Sequence, residues 1–219
     1  MTTAKRLLDL SGAIVGMVVV SPLLLVLSIA VRVDSAGPIF FRQERVGLAG
    51  KRFRIWKLRT MVLDAERRGA QLTVGRDPRI TRVGSFLRAL KLDELPQLIN
   101  VIRGDMSLVG PRPEVPRYVA LYDDAEREVL KLLPGVTDPA SILFRREAEL
   151  LAAASDPEEM YVREVMPEKI RLNLAYARTA TVWSDVQVIA RTLISLGSRE
   201  APPLPPRAAG TDLGAGRPA

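Results

Sequence analysis

Residues 10–31 read LSGAIVGMVVVSPLLLVLSIAV, 22 consecutive residues without a charge, bracketed by Lys5, Arg6 and Asp9 on one side and Arg32 on the other. As a straight helix the run would be roughly 33 Å long, enough to cross the hydrocarbon core of a bilayer. Ser21 and Pro22 stand at its middle. Pro22 has no N–H and its ring crowds the carbonyl of Val18, so a kink or break is expected there, with Ser21 able to bond a freed backbone group. Three readings follow: a single kinked spanning helix, a helix-break-helix that turns back, and a cleaved signal peptide ending near the small-x-small triplet Ser28-Ile29-Ala30. The run is long for a signal peptide. Lys5 and Arg6 mark the N-terminal flank as cytoplasmic, yet Arg32, Arg42, Arg45, Lys51, Arg52 and Arg54 mark the other flank equally strongly. A helix that enters and leaves by the same leaflet satisfies both ends, so residues 1–36 are predicted to be a re-entrant membrane-associated helix broken at Ser21 and Pro22.

Outside that run the 219-residue chain has the composition of one globular domain, 47% hydrophobic and 26% charged. It contains no Cys and no His. Disulfide scaffolds, thiol nucleophiles, Ser-His-Asp triads and nearly every catalytic zinc site are thereby excluded, leaving carboxylates, Lys, Arg, hydroxyls and hard metal ions to supply any chemistry. The net charge of +7 is unevenly placed: residues 42–105 hold 15 basic and 7 acidic side chains, whereas residues 106–219 hold 14 and 16. A local basic field of this kind favours polyanionic partners.

The rest of the chain predicts a mainly helical α+β fold. Residues 39–46 and 51–58 flank the turn-rich Gly47-Leu48-Ala49-Gly50 and read as a small β-hairpin decorated with Arg42, Arg45, Arg54, Lys57 and Arg59. Residues 62–76 read as loop or short helix. Ile80, Val83, Leu87 and Leu90, then Leu95, Leu98, Ile99 and Ile102, have helical spacing. Between the two sets, Asp93 is placed as an N-cap with Pro96 in the first turn, and Arg103-Gly104 as the stop. Residues 104–114 read as a loop in which Pro111 and Pro113 hold Arg112 extended. Ile170, Leu174 and Ala177, then Val182, Val186, Ile189 and Leu193, predict amphipathic helices that either lie at a membrane interface or pack on the core. Residues 200–219, rich in Pro, Gly and Ala, read as a disordered tail.

No Walker A or Gly-x-Gly-x-x-Gly motif occurs. What stands out is the adjacent pair Asp93 and Glu94 in a basic setting. An ionised Asp at a helix start that also shares a divalent cation can attack phosphorus, with nearby Arg offsetting the repulsion of phosphate oxygens. The same pair is ordinary helix punctuation in many proteins.

The pair does not stand alone. In order along the chain come the apolar run with Ser21-Pro22, Gln43-Glu44-Arg45-Val46-Gly47, residues 53–61 (FRIWKLRTM), Thr81-Arg82-Val83-Gly84 with Leu87-Arg88, residues 92–98 (LDELPQL) and residues 104–114 (GDMSLVGPRPE). This series resembles the bacterial sugar transferases, the monotopic phosphoglycosyl transferases that start glycan assembly on a polyprenol carrier, and it covers about residues 1–199. The resemblance implies a re-entrant membrane helix and a catalytic domain over residues 37–199 on the cytoplasmic face of the bacterial inner membrane. It implies Mg²⁺-dependent transfer of a phosphosugar from a UDP-sugar to polyprenyl phosphate, at the first membrane step of exopolysaccharide, O-antigen or glycoconjugate assembly. By the same resemblance Asp93 is the nucleophile that forms a covalent aspartyl-phosphosugar, and Glu94 is its partner in positioning and metal binding. Arg88 and Arg112 are phosphate ligands, with Pro111, Lys57, Arg59 and Arg45 in the substrate- and phosphate-binding set. Inner-membrane lipid is a partner, nucleic acid is not, and a homodimer is compatible with it. One stretch departs from the family: many members follow Pro-Gly with a Thr-Gly-Trp segment and an Asn-Gly-Arg, where this chain has residues 134–145, PGVTDPASILFR. That stretch is expected to face the nucleotide sugar and to bear on its specificity.

Two other classes were weighed: a membrane-anchored basic protein binding anionic lipid or nucleic acid without catalysis, and a noncatalytic membrane scaffold. The six motifs in chain order favour the transferase.

Overall fold

A computed structural model describes residues 2–65, 72–75 and 77–197. The tail expected at 200–219 lies outside them. The chain opens with α1 (Thr3–Asp34), 32 residues, roughly 48 Å long at 1.5 Å per residue. The break expected at Ser21 and Pro22 is not there: α1 runs on through both residues. The local reason is that Ser21 Oγ donates 2.8 Å to the carbonyl oxygen of Val18, the acceptor that Pro22, lacking an N–H, leaves free.

An antiparallel hairpin follows, β1 (Phe40–Val46) and β2 (Arg52–Leu58), paired from Phe40 with Leu58 to Val46 with Arg52. Strand alternation puts Lys57, Ile55 and Phe53 on one face with Arg45, and Trp56 and Arg54 on the other with Arg42. Helix α2 (Arg82–Ala89) is capped by Thr81, whose hydroxyl accepts from Gly84 N. Gly84 sits so close to Thr60 that an added Cβ would lie 2.1 Å from its carbonyl oxygen. A 3₁₀ helix, Leu92–Gln97, leads into α3 (Leu98–Arg103).

Residues 104–114, expected as loop throughout, contain β3 (Ser107–Val109), which pairs in parallel with β4 (Gly135–Thr137). The two strands meet where Gly110 and Gly135 touch backbone to backbone: a Cβ on Gly135 would lie 2.1 Å from Gly110 N. Five short helices, α4 (Pro116–Val119), α5 (Asp124–Arg127), α6 (Pro139–Leu143), α7 (Glu147–Ala152) and α8 (Pro157–Met160), wrap the longer α9 (Met166–Thr179), and α10 (Val182–Gly197) closes the fold.

Apolar packing falls into three clusters. The largest surrounds α9 and contains Tyr118, Phe144, Leu151, Met166 and Ile170. The other two fasten α1: Ala13 packs with Ile55, Val101 and Met106, and Leu27 and Val31 pack with Leu58 and Leu87. Polar contacts hold both ends of α1 as well. Lys5 Nζ donates to Asp185 at 2.6 Å and to Val109 O at 3.0 Å, and Arg6 donates to the carbonyls of Val101 and Ile102. Asp9, fully buried, accepts from Ser107 Oγ and Leu108 N. At the far end Asp34 accepts from Val83 N, and Arg59 donates to the carbonyl and hydroxyl of Ser35. Between these anchors Val15, Val18, Val19, Leu25, Val26 and Ile29 are exposed. In the most apolar 18-residue window of α1, mean hydropathy 2.8, only 11% is buried, whereas the core helix of a soluble protein would bury most of it. On α10, Val188 and Asp185 face inward while Trp183, Leu193 and Ile194 are exposed.

Asp9 generates the first prediction. Asp9→Leu lengthens the apolar run but strips Leu108 N of its acceptor inside the fold and leaves Ser107 Oγ with only the Val109 carbonyl, which costs about 2 kcal/mol. The midpoint of thermal unfolding in detergent should fall by about 4–8 °C; an unchanged or higher midpoint would show that this contact does not hold α1 to the domain.

Candidate active site

The site is built where β2, the Leu92–Gln97 turn and the 111–114 segment meet. Asp93 is not an N-cap, as the spacing suggested. Lys91 takes that position with a left-handed backbone, φ 56°, and Asp93 and Glu94 both fall inside the first turn. Pro96, expected in the first turn, is instead the fifth of the six residues of the 3₁₀ helix Leu92–Gln97. Asp93 is 6% and Glu94 8% exposed, so each carboxylate is governed by its protein neighbours.

Those neighbours treat the two acids differently. Arg112 grips Glu94 with both ends of its guanidinium, Nη1 to Oε2 at 2.8 Å and Nη2 to Oε1, and Lys57 Nζ donates 3.0 Å to Oε1. Burial alone would raise the Glu94 pKa, but Arg112 and Lys57 outweigh it and hold the carboxyl well below its usual range. Arg112 is raised in return, chiefly by Glu94. Lys57 is lowered to about 8 by burial, against the pull of Glu94. Asp93 goes the other way: burial first, then the adjacent Glu94, raise it against the pull of Lys57, Lys91 and Arg88. Its Oδ1 is buried with no hydrogen-bond partner among the described residues. A firmly ionised Glu94 thus sits beside a carboxylate that is more basic and unsatisfied, a division of roles that acid pairs in active sites commonly show.

Arg88, in the last turn of α2, donates Nη2 to Thr73 Oγ1 at 3.1 Å and leaves Nη1 buried without a partner among the described residues. Asp93 and Glu94 both pull on its charge. Arg88, Lys57 and Arg112 thus stand close enough to the acid pair to interact with its charge, and Pro111 lies beside Arg112 in the wall of an adjoining cleft.

Two residues of the expected set are engaged elsewhere. Arg59 caps the C-terminal end of α1 through Ser35 and the Val31 carbonyl, spending its charge where helix carbonyls are free. Arg45 works behind Arg112. It donates to Pro113 O at 3.0 Å and to Glu114 and Gln43, and Glu114 also accepts from Tyr161 OH and Val115 N. This network fixes the segment that presents Arg112. Glu114, Tyr161 and Lys91 were not singled out in the sequence. Glu114 ends the 104–114 motif, and nothing local joins it to Tyr161, 47 residues away. The divergent stretch 134–145 supplies β4, which pairs with β3 ahead of the Arg112 segment, and α6, which packs against α9 and α10; of the stretch, Pro134 lines the cleft.

Among the described residues no group of three or more acidic or metal-ligating side chains converges. A hard cation such as Mg²⁺ still fits the pair. Asp93 Oδ1 is an unsatisfied buried oxygen, and Glu94 Oε2 accepts only one of the two bonds it can take. Mg²⁺ is commonly held by one or two carboxylates with phosphates and water completing its shell.

The family profile described as bacterial sugar transferase matches residues 1–199. The chain belongs to that family. Among its relatives, a Caulobacter vibrioides UDP-glucose:undecaprenyl-phosphate glucose-1-phosphate transferase is 37% identical over 203 residues, 88% of this sugar transferase and 69% of the relative. An Escherichia coli protein of the same name is 36% identical over 198 residues, 86% of this chain and 39% of its own. An Aeromonas hydrophila UDP-N-acetylgalactosamine-undecaprenyl-phosphate N-acetylgalactosaminephosphotransferase is 34% identical over 194 residues, 86% of this chain and 42% of its own. The transferase thus spans less than half the length of the last two.

The electrostatic account predicts a coupling. Glu94→Gln leaves Arg112 and buried Lys57 without their anion and should cost about 3 kcal/mol of stability. Adding Lys57→Met should return a measurable part of the loss, because an unpaired buried ammonium is removed. Additive losses in denaturant unfolding would show that Lys57 and Glu94 do not interact.

Proposed function

We propose that the chain transfers a sugar 1-phosphate from a UDP-sugar to undecaprenyl phosphate, giving the undecaprenyl diphosphate sugar and UMP. The observation that carries the reading is the unpartnered, buried Asp93 carboxylate beside a Glu94 neutralised by Arg112 and Lys57. Family membership and the printed reactions of the relatives support the substrate class. The relatives differ in the sugar they carry, glucose in two and N-acetylgalactosamine in the third.

In this reading an oxygen of Asp93 attacks the phosphorus bound to the sugar, the bond to the UMP oxygen breaks, and UMP leaves. The acceptor's phosphate oxygen then attacks the same phosphorus and Asp93 leaves as carboxylate, restored for the next cycle. Arg88 Nη1, buried and unpartnered, and the Arg112 N–H groups that Glu94 leaves free stabilise charge on the equatorial oxygens. Lys57 and Arg112 also keep Glu94 from repelling the incoming phosphate. Mg²⁺, held by Asp93 and Glu94, would supply Lewis-acid neutralisation of the phosphate oxygens.

The chain is read as acting on the cytoplasmic face of the inner membrane, where UDP-sugars are made. Both ends of α1 are tied to the same domain, and its exposed face is apolar. This supports a helix that stays in one leaflet, although it does so without the break at Pro22. Cysteines introduced at Thr3 and Ser35 should both escape a membrane-impermeant thiol reagent in intact cells and react once the inner membrane is permeabilised. Labelling at position 3 from outside would establish a spanning helix instead.

The activity test is UMP release from a panel of UDP-sugars by purified protein with Mg²⁺ and undecaprenyl phosphate. One UDP-sugar should give turnover, and Asp93→Asn, which keeps the shape, should fall to background while retaining its fold. Arg112→Lys, which trades a bidentate fork for a point charge, should lose about a hundredfold in kcat/KM. Substantial turnover by folded Asp93→Asn protein would contradict the assignment.

A further inference from the structure

A cleft whose envelope of about 540 Å³ includes open solvent reaches the acid pair through Arg112. One wall is the 111–114 segment, so Arg112 belongs both to the cleft and to the Glu94 ion pair. The opposite walls are apolar, with Val129, Leu130 and Leu132 on one side and Met166 and Ile170 of α9 on the other. No lining residue lies on α1 or α10, the two helices with exposed apolar faces.

Four of the polar groups in the cleft are already committed. Arg112 grips Glu94, Glu114 accepts from Arg45 and Tyr161, and Lys169 is paired with Glu147 at 2.7 Å. Among the described residues Asn173, like the Tyr122 hydroxyl, is not so committed. It occupies the buried face of α9 with Met166 and Ile170, is 6% exposed, and its amide makes no hydrogen bond to a described residue. Its amide atoms are not among the fully buried unpaired ones, so they open into the cleft, where a polar ligand or water can pair with them. Asn offers one acceptor and two donors side by side. A flat heterocycle with two apolar faces and one acceptor-donor-acceptor edge matches apolar walls carrying a single free amide. A sugar ring, with hydroxyls around its rim, would leave several of them unpaired there.

We propose that this cleft is the nucleobase subsite, taking the uracil of the donor with Asn173 hydrogen-bonded to its imide edge and Arg112 facing the diphosphate. The assignment rests on the transfer reaction proposed above and adds to it the place of the leaving nucleotide.

The test titrates UMP into full-length, detergent-solubilised protein carrying Asp93→Asn, so that binding is read without turnover. UMP should bind, and adding Asn173→Leu, close in volume but without the amide, should weaken it about tenfold. Leu130→Trp, which fills the cleft from the opposite wall, should weaken it at least as much and gives a reading should Asn173→Leu fail to fold. In the otherwise native chain Asn173→Leu should raise KM for the UDP-sugar about tenfold while leaving KM for undecaprenyl phosphate within about twofold. No UMP binding by the Asp93→Asn protein, or native UMP affinity in the folded variants, overturns the subsite. If the native chain then still turns over UDP-sugar, the transfer reaction stands without it. Asn173-dependent UMP binding with no turnover of any UDP-sugar would uphold the subsite and remove the transfer reaction.

Discussion

The Glu94 carboxylate joins three parts of the chain that have little else in common. Lys57 reaches it from the hairpin, Arg112 from the segment after β3, and its own backbone belongs to the turn before α3. Three charges this close together and this buried would be costly singly, and each is tolerated because the others are present. The consequence falls on Asp93. Its neighbour's charge is already balanced, so a phosphate can approach without meeting two bare carboxylates, while Asp93 itself is left without a hydrogen bond and with a raised pKa. A carboxylate in that condition gains most from a bond to something arriving from outside.

In the proposed reading, the position of this centre relative to the membrane depends on α1. Lys5, Arg6 and Asp9 bind the first turns of the helix to β3, α3 and α10, and Asp34 and Ser35 bind its last turn to α2 and to Arg59, the residue after β2. A helix held at both ends by one domain has its exposed apolar side as the surface to give to lipid. The elements that carry Asp93 are thereby kept at a fixed distance from that surface, which suits an acceptor with a phosphate at the interface and a chain in the bilayer.

Much of this was legible in the sequence because it is local. The hairpin expected at 39–46 and 51–58 is found at Phe40–Val46 and Arg52–Leu58, since a two-strand unit around a Gly-rich turn is specified by neighbouring residues. The apolar length of α1 was likewise plain. What it conceals is that Ser21 offsets the defect made by Pro22, so that a break signal becomes a continuous helix. The β3–β4 pair was invisible because three-residue parallel strands about 26 residues apart leave no periodicity, and only the contact of Gly110 with Gly135 shows why both glycines are there. The motifs identified the acid pair and its arginines, but the basic residues in them looked alike. Geometry separated Lys57, Arg88 and Arg112 from Arg59, which caps a helix, and from Arg45, which anchors a loop. Asn173 left no mark in the apolar spacing of α9, because that spacing steps across a polar residue on the buried face.

The central claim is that the Asp93 carboxylate is the group that takes the sugar phosphate. The most direct measurement is the intact mass of the purified protein after brief exposure to its UDP-sugar and Mg²⁺ without lipid acceptor. The account predicts an increase by one sugar phosphate, mapped to Asp93 and discharged on addition of undecaprenyl phosphate, and no increase in the Asp93→Asn protein. Full turnover with no adduct at any time, or an adduct on another residue, would contradict it.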